Sequence, residues 1–336
     1  MTSACKLLLC GPFPDPVGGV STHLQRLLCV LRRDARFSVR CLDESGLRKA
    51  AIFNIRSLNL LAYLKLMWWA DLVHVQSSVP VFRLMHLMLA KLMGKKIVLT
   101  LHSYRPRHKL EHWFTRMACR LPDVVIAVSE DIRVAVCPRA RVIPAYIAPT
   151  PEEEAVPADL LAWIEGVRAA GRKLIVSNAS KLVRFDGADL YGLDLLVDIF
   201  NDPAIRSDYA LLFIVSSLSG CEASFARYQH LIAERGLSEV IALLHRPLPF
   251  AGLLRQCDLS VRATNTDGDA LSIRESLYYG RRTIASDCVA RPLGTELFAS
   301  RDCAALAAVI KGPVQASAYR DESFDRVIVD LYASLL

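Results

Sequence analysis

Residues 96–130, KIVLTLHSYRPRHKLEHWFTRMACRLPDVVIAVSE, decide the fold. KIVLTL is a short apolar run rich in β-branched residues, and it reads as a strand buried on both faces. VVIAV at 124–128 reads the same way. Between them, residues 108–120 carry apolar positions at helical spacing. Strand, helix and strand in this order form a βαβ unit and imply a parallel sheet. The alternation extends outward. Residues 6–10, 37–42 and 72–75 are further strand runs, and 19–33, 57–69 and 79–93 are helical. Residues 145–157, proline-rich with a run of three glutamates, read as a linker. Beyond it the pattern restarts, with strands at 174–177, 210–216, 240–244, 259–261 and 283–286. Helices at 191–200 and 220–235 fall among them. The predicted fold class is α/β, with two Rossmann-like domains facing each other across a cleft. The first covers residues 1–150 and the second 151–317, and a last helix within 318–336 packs back on the first.

The length of 336 residues fits two domains at about 150 residues each. Hydrophobic residues at 53% and charged residues at 22% exclude a disordered chain. The charge is uneven. Residues 1–150 hold 22 Lys and Arg against 9 Asp and Glu, a net of +13, and the remainder holds 19 against 25, a net of −6. A basic first half points to an anionic partner. The ten cysteines have no CxxC spacing, and Cys10, Cys29, Cys41, Cys119 and Cys257 sit in apolar segments as small hydrophobes. The opening MTSACKLLLC is too short in apolar residues for a secretory signal core. The stretches 58–64 and 84–90, broken by Lys65 and Lys91, fall short of a membrane span. The expectation is a cytoplasmic chain with reduced thiols.

In sheets of this kind ligands bind outside the carboxyl ends of the strands, so the residues just after each strand are the candidates. After the first strand comes GPFPDPVGGVSTH, where Gly18 and Gly19 open a helix. A helix start offers free N–H groups and partial positive charge, and glycines let an anion approach the backbone. It is neither a GxGxxG fingerprint nor a P-loop. His102 follows KIVLTL directly, and Ser129 and Glu130 follow VVIAV. The most informative segment is DLSVRATNTDGDALSIRESLYYGRRTIASD at 258–287. There Asp267 ends a loop, a helix begins near Leu271, and Glu275 falls in its second turn. The acids are eight positions apart, with the N–H groups of Ala270, Leu271, Ser272 and Ile273 between them. Backbone donors with flanking carboxylates suit a sugar nucleotide, its diphosphate on the donors and its hydroxyls on the acids. Asp267-Gly268-Asp269 also reads as a DxD triplet, but no Cys/His cluster or further carboxylate set accompanies it, and no metal is expected.

These motifs together resemble the retaining glycosyltransferases of family 4, which have the GT-B fold. The resemblance runs through GPFPDPVGGVSTH, LTLHS, VIAVSE, DLYGLDLL and the acid-x7-acid block. It implies that Asp267 contacts the donor sugar and Glu275 the ribose, that Gly18 and Gly19 lie beside the diphosphate and acceptor, and that His102 lies beside the transferred sugar. Three departures stand out. The first acid is Asp where the family has Glu. The family's arginine position reads Lys181. Its Lys-Gly position reads Tyr191-Gly192, with Arg184 as a further cation nearby. The implied reaction moves a sugar, with retention, from a UDP- or GDP-sugar to a hydroxyl of a lipid-linked or saccharide acceptor, as in bacterial surface polysaccharide synthesis (exopolysaccharide, capsule or lipopolysaccharide). Catalysis would be electrostatic, without metal or cofactor. A same-fold epimerase or hydrolase, and a catalytically weak membrane-bound partner subunit of another transferase, are the alternatives.

The basic first half has its own reading. Arg83, His86 and Lys91 share one side of a helix, and Lys95, Lys96, Arg105, Arg107 and Lys109 follow. Trp68 and Trp69 lie near them in sequence. Cations beside aromatic and aliphatic residues suit the anionic inner face of a membrane and a lipid-diphosphate acceptor. Most Leu and Met of 57–93 are expected in the core. No nucleic-acid reader motif is present.

Overall fold

The computed structural model describes residues 4–15, 17–49, 51–104, 109–246, 248, 250–313, 317 and 319–335. The chain forms two compact units, residues 1–147 with 323–336, and residues 148–322.

The first unit is built on seven parallel strands in the order β3-β2-β1-β4-β5-β6-β7. These are β1 Cys5–Gly11, β2 Phe37–Asp43, β3 Phe53–Asn54, β4 Leu72–Val75, β5 Lys96–Leu101, β6 Val124–Ala127 and β7 Arg141–Val142. The helices between them are α1 Gly19–Arg32, α2 Leu60–Trp69, α3 Pro80–Leu92, α4 Lys109–Ala118 and α5 Glu130–Val136. β1 and β4 are continuous apolar runs because helices cover both faces of a parallel sheet. Leu8, Val73 and Leu99 face the α2–α3 side, whereas Leu7, Leu9 and Val98 face α1. The strand order reverses between β1 and β4, so their carboxyl ends diverge and leave room for a ligand there.

The second unit carries six parallel strands in the order β12-β11-β8-β13-β14-β15 and a separate two-stranded hairpin. Its elements in chain order are α6 Ala158–Ala169, β8 Lys173–Ala179, the hairpin β9 Arg184–Phe185 and β10 Ala188–Asp189, α7 Leu193–Asp198 and α8 Pro203–Asp208. β11 Tyr209–Val215, α9 Glu222–Glu234, β12 Ile241–His245, α10 Ala251–Gln256 and β13 Leu259–Arg262 follow. α11 Leu271–Tyr278, β14 Arg282–Ser286, β15 Thr295–Phe298 and α12 Cys303–Lys311 complete it. Here the order reverses between β8 and β13.

Several expectations change in detail. The last helix, α13, spans Asp325–Ala333 and belongs to the first unit, where Ile328, Val329, Leu331 and Tyr332 join the core under α1. Each fully buried apolar side chain of this kind contributes about 1.5–3 kcal/mol. The stretch read as a linker is packed at both ends. Tyr146 and Ile147 are buried, and residues 151–154 form a 3-10 turn whose Glu154 accepts from Tyr279 Oη (2.7 Å) and Arg255 (2.6 Å). Charge and proline content hid the buried Tyr146. The short strands β3, β7, β9, β10 and β15 were not legible, because two to four residues are too few to show a period. All ten cysteines are free thiols; Cys10, Cys119 and Cys257 are buried, whereas Cys29 and Cys41 are half-buried. Among the described residues no helix is long and apolar enough to cross a membrane.

Candidate functional site

In the first unit the candidate residues gather where β1, β4 and β5 end. The loop after β1 is held from below. Asp43, at the end of β2, accepts from Phe13 N (3.0 Å) and from Lys49 Nζ (2.7 Å), and Lys49 also donates to Phe13 O (3.0 Å). Burial opposes the Asp43 charge, but Lys49 and the backbone donors hold its carboxyl below the ordinary value. Gly18 is the extended N-cap of α1, and Ser21 Oγ both accepts from Gly18 N (2.9 Å) and donates to Gly18 O (3.0 Å). Gly19 is exposed, and a Cβ there would meet nothing within 4 Å. The glycine that packing demands is Gly11, whose Cβ would lie 2.7 Å from Leu24 Cδ1 and 3.3 Å from Gln76 O.

One turn along α1, His23 meets His102 edge to face, with ring centroids 5.2 Å apart. The structure therefore brings the start of α1 and His102 together. His102 is tied to the next strand end, its Nε2 lying 2.7 Å from Gln76 Oε1. An amide oxygen only accepts, so His102 carries its proton on Nε2 and its Nδ1 keeps a lone pair. Gln76 Nε2 in turn donates to His74 Nδ1 (3.2 Å), which also accepts from Tyr332 Oη. His74 Nε2 then donates to Thr100 Oγ1 (2.7 Å). His102 thus donates to Gln76 and Gln76 to His74, where Tyr332 donates from the other side and shares the one Nδ1 lone pair. Gln76 was missed in the sequence, although its place directly after the LVHV strand marked it.

Burial lowers the His23 pKa to about 4 and that of His74 to about 3, and pushes His102 well below its ordinary 6.5. His23 and His74 thus fold neutral, whereas the unfolded chain protonates them near pH 6.5. Their contribution to stability is whole above pH 6.5 and is lost as pH falls toward those depressed values, at about 1.4 kcal/mol per pH unit for each group. Unfolding free energy measured with urea should therefore drop by about 3–4 kcal/mol between pH 7 and pH 5 through these two residues. Replacing His74 by glutamine should flatten that dependence, and an unchanged slope in the variant would contradict this assignment.

The basic cluster divides. Arg83 is not a surface cation: it is buried, and its Nε and Nη2 donate to Ser77 O at 3.1 and 2.9 Å. Its side chain caps a loop carbonyl from α3, which withdraws it from any membrane face. Lys91 and Lys96 are exposed. Lys95 lies over the Trp68 ring (5.7 Å) and donates to Trp68 O (2.8 Å). Arg105 and Arg107 lie outside the described residues. Most Leu and Met of this region are buried or packed against the core, as expected, but a minority of the large apolar side chains of α2 and α3 are not. There Leu61, Trp68 and Leu92 are 72%, 75% and 82% exposed, although their helices are apolar enough to read as buried.

In the second unit the candidates gather where β8 and β13 end. Asp267 accepts a fork from Arg262 (Nε 3.0 Å, Nη2 3.1 Å) and further bonds from Arg291 Nη1 (2.9 Å), Thr264 Oγ1 (3.1 Å) and Gly268 N (3.1 Å). Burial raises the cost of its charge, but the two guanidinium groups outweigh this and hold the carboxyl well below the ordinary value. Asp269 forms a fork with Arg274, which also reaches Asp321 (2.8 Å). Both acids of the DxD triplet are thus already matched by arginines. Among the described residues no group of three or more His, Cys, Asp or Glu is placed to hold a metal ion. α11 begins at Leu271 behind Ala270 with no side-chain cap; Ile273 N already donates to Ala270 O (3.0 Å), so contrary to expectation Ile273 offers no free N–H and the open first turn is that of Leu271 and Ser272, with Glu275 buried in the next.

After β8, Lys181 Nζ donates to Ser219 O (3.0 Å) and Ser180 Oγ bonds Tyr191 Oη (2.7 Å). Gly192 has φ +70 and would place a Cβ 2.2 Å from Ala263 O, so only glycine fits where this loop crosses the end of β13. Asp189 accepts from Tyr191 N and Gly192 N at 2.9 and 3.0 Å and fixes the turn into α7. Tyr191 lies under the Arg262 guanidinium, 5.0 Å from ring centroid to Cζ. Arg184 stands apart. It sits on the exposed hairpin, bonded to Gly187 O, and lines a cavity of about 500 Å³ with Asp189, Tyr228 and Arg301 that includes none of Lys181, Asp267 or Glu275. Arg262 and Arg291 were missed in the sequence. The first had a signal, its place at the end of a strand. The second had none, because its partner is 24 residues away.

Residues 17–150 match the family model described as Glycosyltransferase Family 4. No curated protein matches the chain in sequence. Among solved structures, a glycosyltransferase from Rickettsia africae superposes with TM-score 0.72 at 14% identity, covering 99% of this chain and 98% of that one. HepE of Anabaena in complex with UDP and glucose gives 0.71 at 15% identity, covering 98% and 100%. The lipopolysaccharide outer core galactosyltransferase WaaB gives 0.65 at 14% identity, covering 98% and 100%. At these identities the likeness is one of fold. The family likeness thus covers residues 17–150, and the chain's two parallel-sheet units share the fold of the GT-B glycosyltransferases.

Proposed function

We propose that the chain is a retaining hexosyltransferase that moves a sugar from a UDP- or GDP-sugar to a hydroxyl of a lipid-linked or saccharide acceptor, in the synthesis of a bacterial surface polysaccharide. The observation that carries this reading is the junction of β13 and α11, where Asp267 and Tyr191 are both held by Arg262 beside the uncapped helix start that carries Glu275. HepE, similar in fold, has been solved with UDP and with UDP-glucose, and WaaB is a lipopolysaccharide galactosyltransferase.

In this reading the second unit holds the donor. The first-turn N–H groups of α11, with Lys181, stabilise charge growing on the leaving diphosphate. Arg184 is a further cation for the same charge, on the hairpin whose Phe185 O accepts from Asn265 Nδ2 (2.7 Å) in the loop before Asp267. Glu275 takes the ribose hydroxyls. In the first unit Gly18, Gly19 and His102 form the acceptor side of the reaction. The depressed pKa of His102 keeps it neutral at pH 7, so it serves as a hydrogen-bond acceptor through Nδ1 rather than as a cation. A phosphate oxygen of the leaving group receives the acceptor proton, and no metal takes part. Purified protein in EDTA should turn over a UDP- or GDP-sugar with acceptor; loss of all turnover on chelation would sink the metal-free mechanism. Free sugar or a C2 epimer as the main product without acceptor would decide for a hydrolase or epimerase.

We further propose peripheral attachment to the anionic inner face of a membrane through the exposed side of α2 and α3. Leu61, Trp68 and Leu92 would enter the interface, and Lys91 and Lys95 would meet the headgroups. Pelleting with vesicles of anionic lipid should weaken with salt, and Trp68→Ser should reduce it at least fivefold. Equal pelleting by neutral vesicles, or by the variant, would overturn this.

A further inference from the structure

The charges around Asp267 do not balance. Two guanidinium groups, Arg262 and Arg291, share one carboxylate, and the side chains of all three are largely buried at 15%, 2% and 8% exposure. A carboxylate offers about four lone-pair directions, and Asp267 already receives five hydrogen bonds. It has no capacity left for a sugar hydroxyl unless an ion pair opens. Arg291 has a partner on each of its three guanidinium nitrogens. Its Nε donates to Ser286 O (3.0 Å), Nη1 to Asp267, and Nη2 lies 3.1 Å from Thr264 Oγ1 and 3.3 Å from Ser286 Oγ.

Arg262 is different. It uses Nε and Nη2 on Asp267 and rests its plane on Tyr191, and among the described residues its Nη1 makes no hydrogen bond. It is also the most exposed of the three. The surplus positive charge therefore reaches the surface at Arg262 Nη1, at the carboxyl end of β13, where this kind of sheet binds its ligand. A neutral sugar would leave that charge uncompensated, whereas an anion would complete a pair in a site of low water content.

We propose that Arg262, held by Asp267 and Tyr191, receives a carboxylate on the donor sugar, so that the donor is a nucleoside-diphosphate-activated uronic acid. This rests on the donor site placed at β13 and α11 under Proposed function. Arg262 is the residue that selects the acid, and Asp267 positions it.

Calorimetry on the full chain with UDP, UDP-glucose and UDP-glucuronate, and with GDP, GDP-mannose and GDP-mannuronate, tests it. The wild type should bind the uronate of one series at least tenfold more tightly than the hexose of that series. Arg262→Gln leaves Arg291 and Asp267 as a balanced pair, so the fold should survive. It should erase the preference while changing affinity for the bare nucleoside diphosphate less than threefold. Arg262→Lys keeps the cation and should keep part of the preference, which guards against a folding defect in the glutamine variant. Equal or tighter binding of the hexose by the wild type would overturn the proposal. So would a tenfold loss of bare UDP or GDP in Arg262→Gln, which would assign the cation to the diphosphate. Failure of the wild type to bind any nucleoside diphosphate would instead remove the donor site itself.

Discussion

Substitution Asp267→Ala is expected to destabilise the second unit by about 3–5 kcal/mol, because it strands two largely buried guanidinium groups. The fork from Arg262, the bond from Arg291 and the Thr264 hydroxyl all lose their acceptor at once. Removing one partner of a buried pair costs far more than the pair itself contributes, since the remaining charge has been desolvated for nothing. A unit of this size loses about 2–4 °C in Tm per kcal/mol, so a fall of order 10 °C should be seen by calorimetry. Asp267→Asn keeps the shape but not the charge, and should cost nearly as much. Arg262→Gln restores the balance of charge and should be much milder than either. Because the folded carboxyl titrates below the ordinary 3.8, its stabilising effect is whole above that value and is lost as pH falls below it. A loss of less than 1 kcal/mol in Asp267→Ala would show that the three residues do not act as one unit.

The second large effect lies in the first unit. His102→Ala should lower kcat/KM by roughly 10²–10³, the usual range for removing one preorganised polar group from a transition state. Gln76→Glu separates position from protonation. The carboxylate would face the Nε2–H of His102 at the same 2.7 Å distance and favour the imidazolium. The His102 pKa should rise from its depressed value, and activity should fall as pH drops through it, because the protonated ring offers no acceptor at Nδ1. The wild type should show no such limb near neutrality. Superimposable profiles for the two enzymes would mean that Gln76 does not set the state of His102.

What was legible in the sequence was whatever a short window contains. KIVLTL and VVIAV announced buried parallel strands because both their faces are covered by helices. Gly18, Gly19, His102 and the acid-x7-acid block stood out as candidates because they lie in the segments that follow strands. What stayed hidden depends on partners far along the chain. The clamp of Asp43 and Lys49 on the loop after β1, the bond from Tyr332 to His74, and the link from Arg274 to Asp321 leave no local pattern. The charge count overstates the surface charge for the same reason. The net of +13 in residues 1–150 reads as a basic surface. Yet Arg26 and Arg83 are buried and spend their guanidinium groups on the carbonyls of Ile147 and Ser77. In α2 and α3 most apolar side chains are core as expected, and Leu61, Trp68 and Leu92 differ because a helix that reads as core can keep one row of side chains in water.

The most direct test of the central claim is to supply a UDP- or GDP-sugar with acceptor glycan and follow the anomeric proton of the product by NMR. The account predicts transfer that retains the donor's anomeric configuration, continues in EDTA, and disappears in Glu275→Ala. A product of inverted configuration, or undiminished transfer by Glu275→Ala, would contradict it.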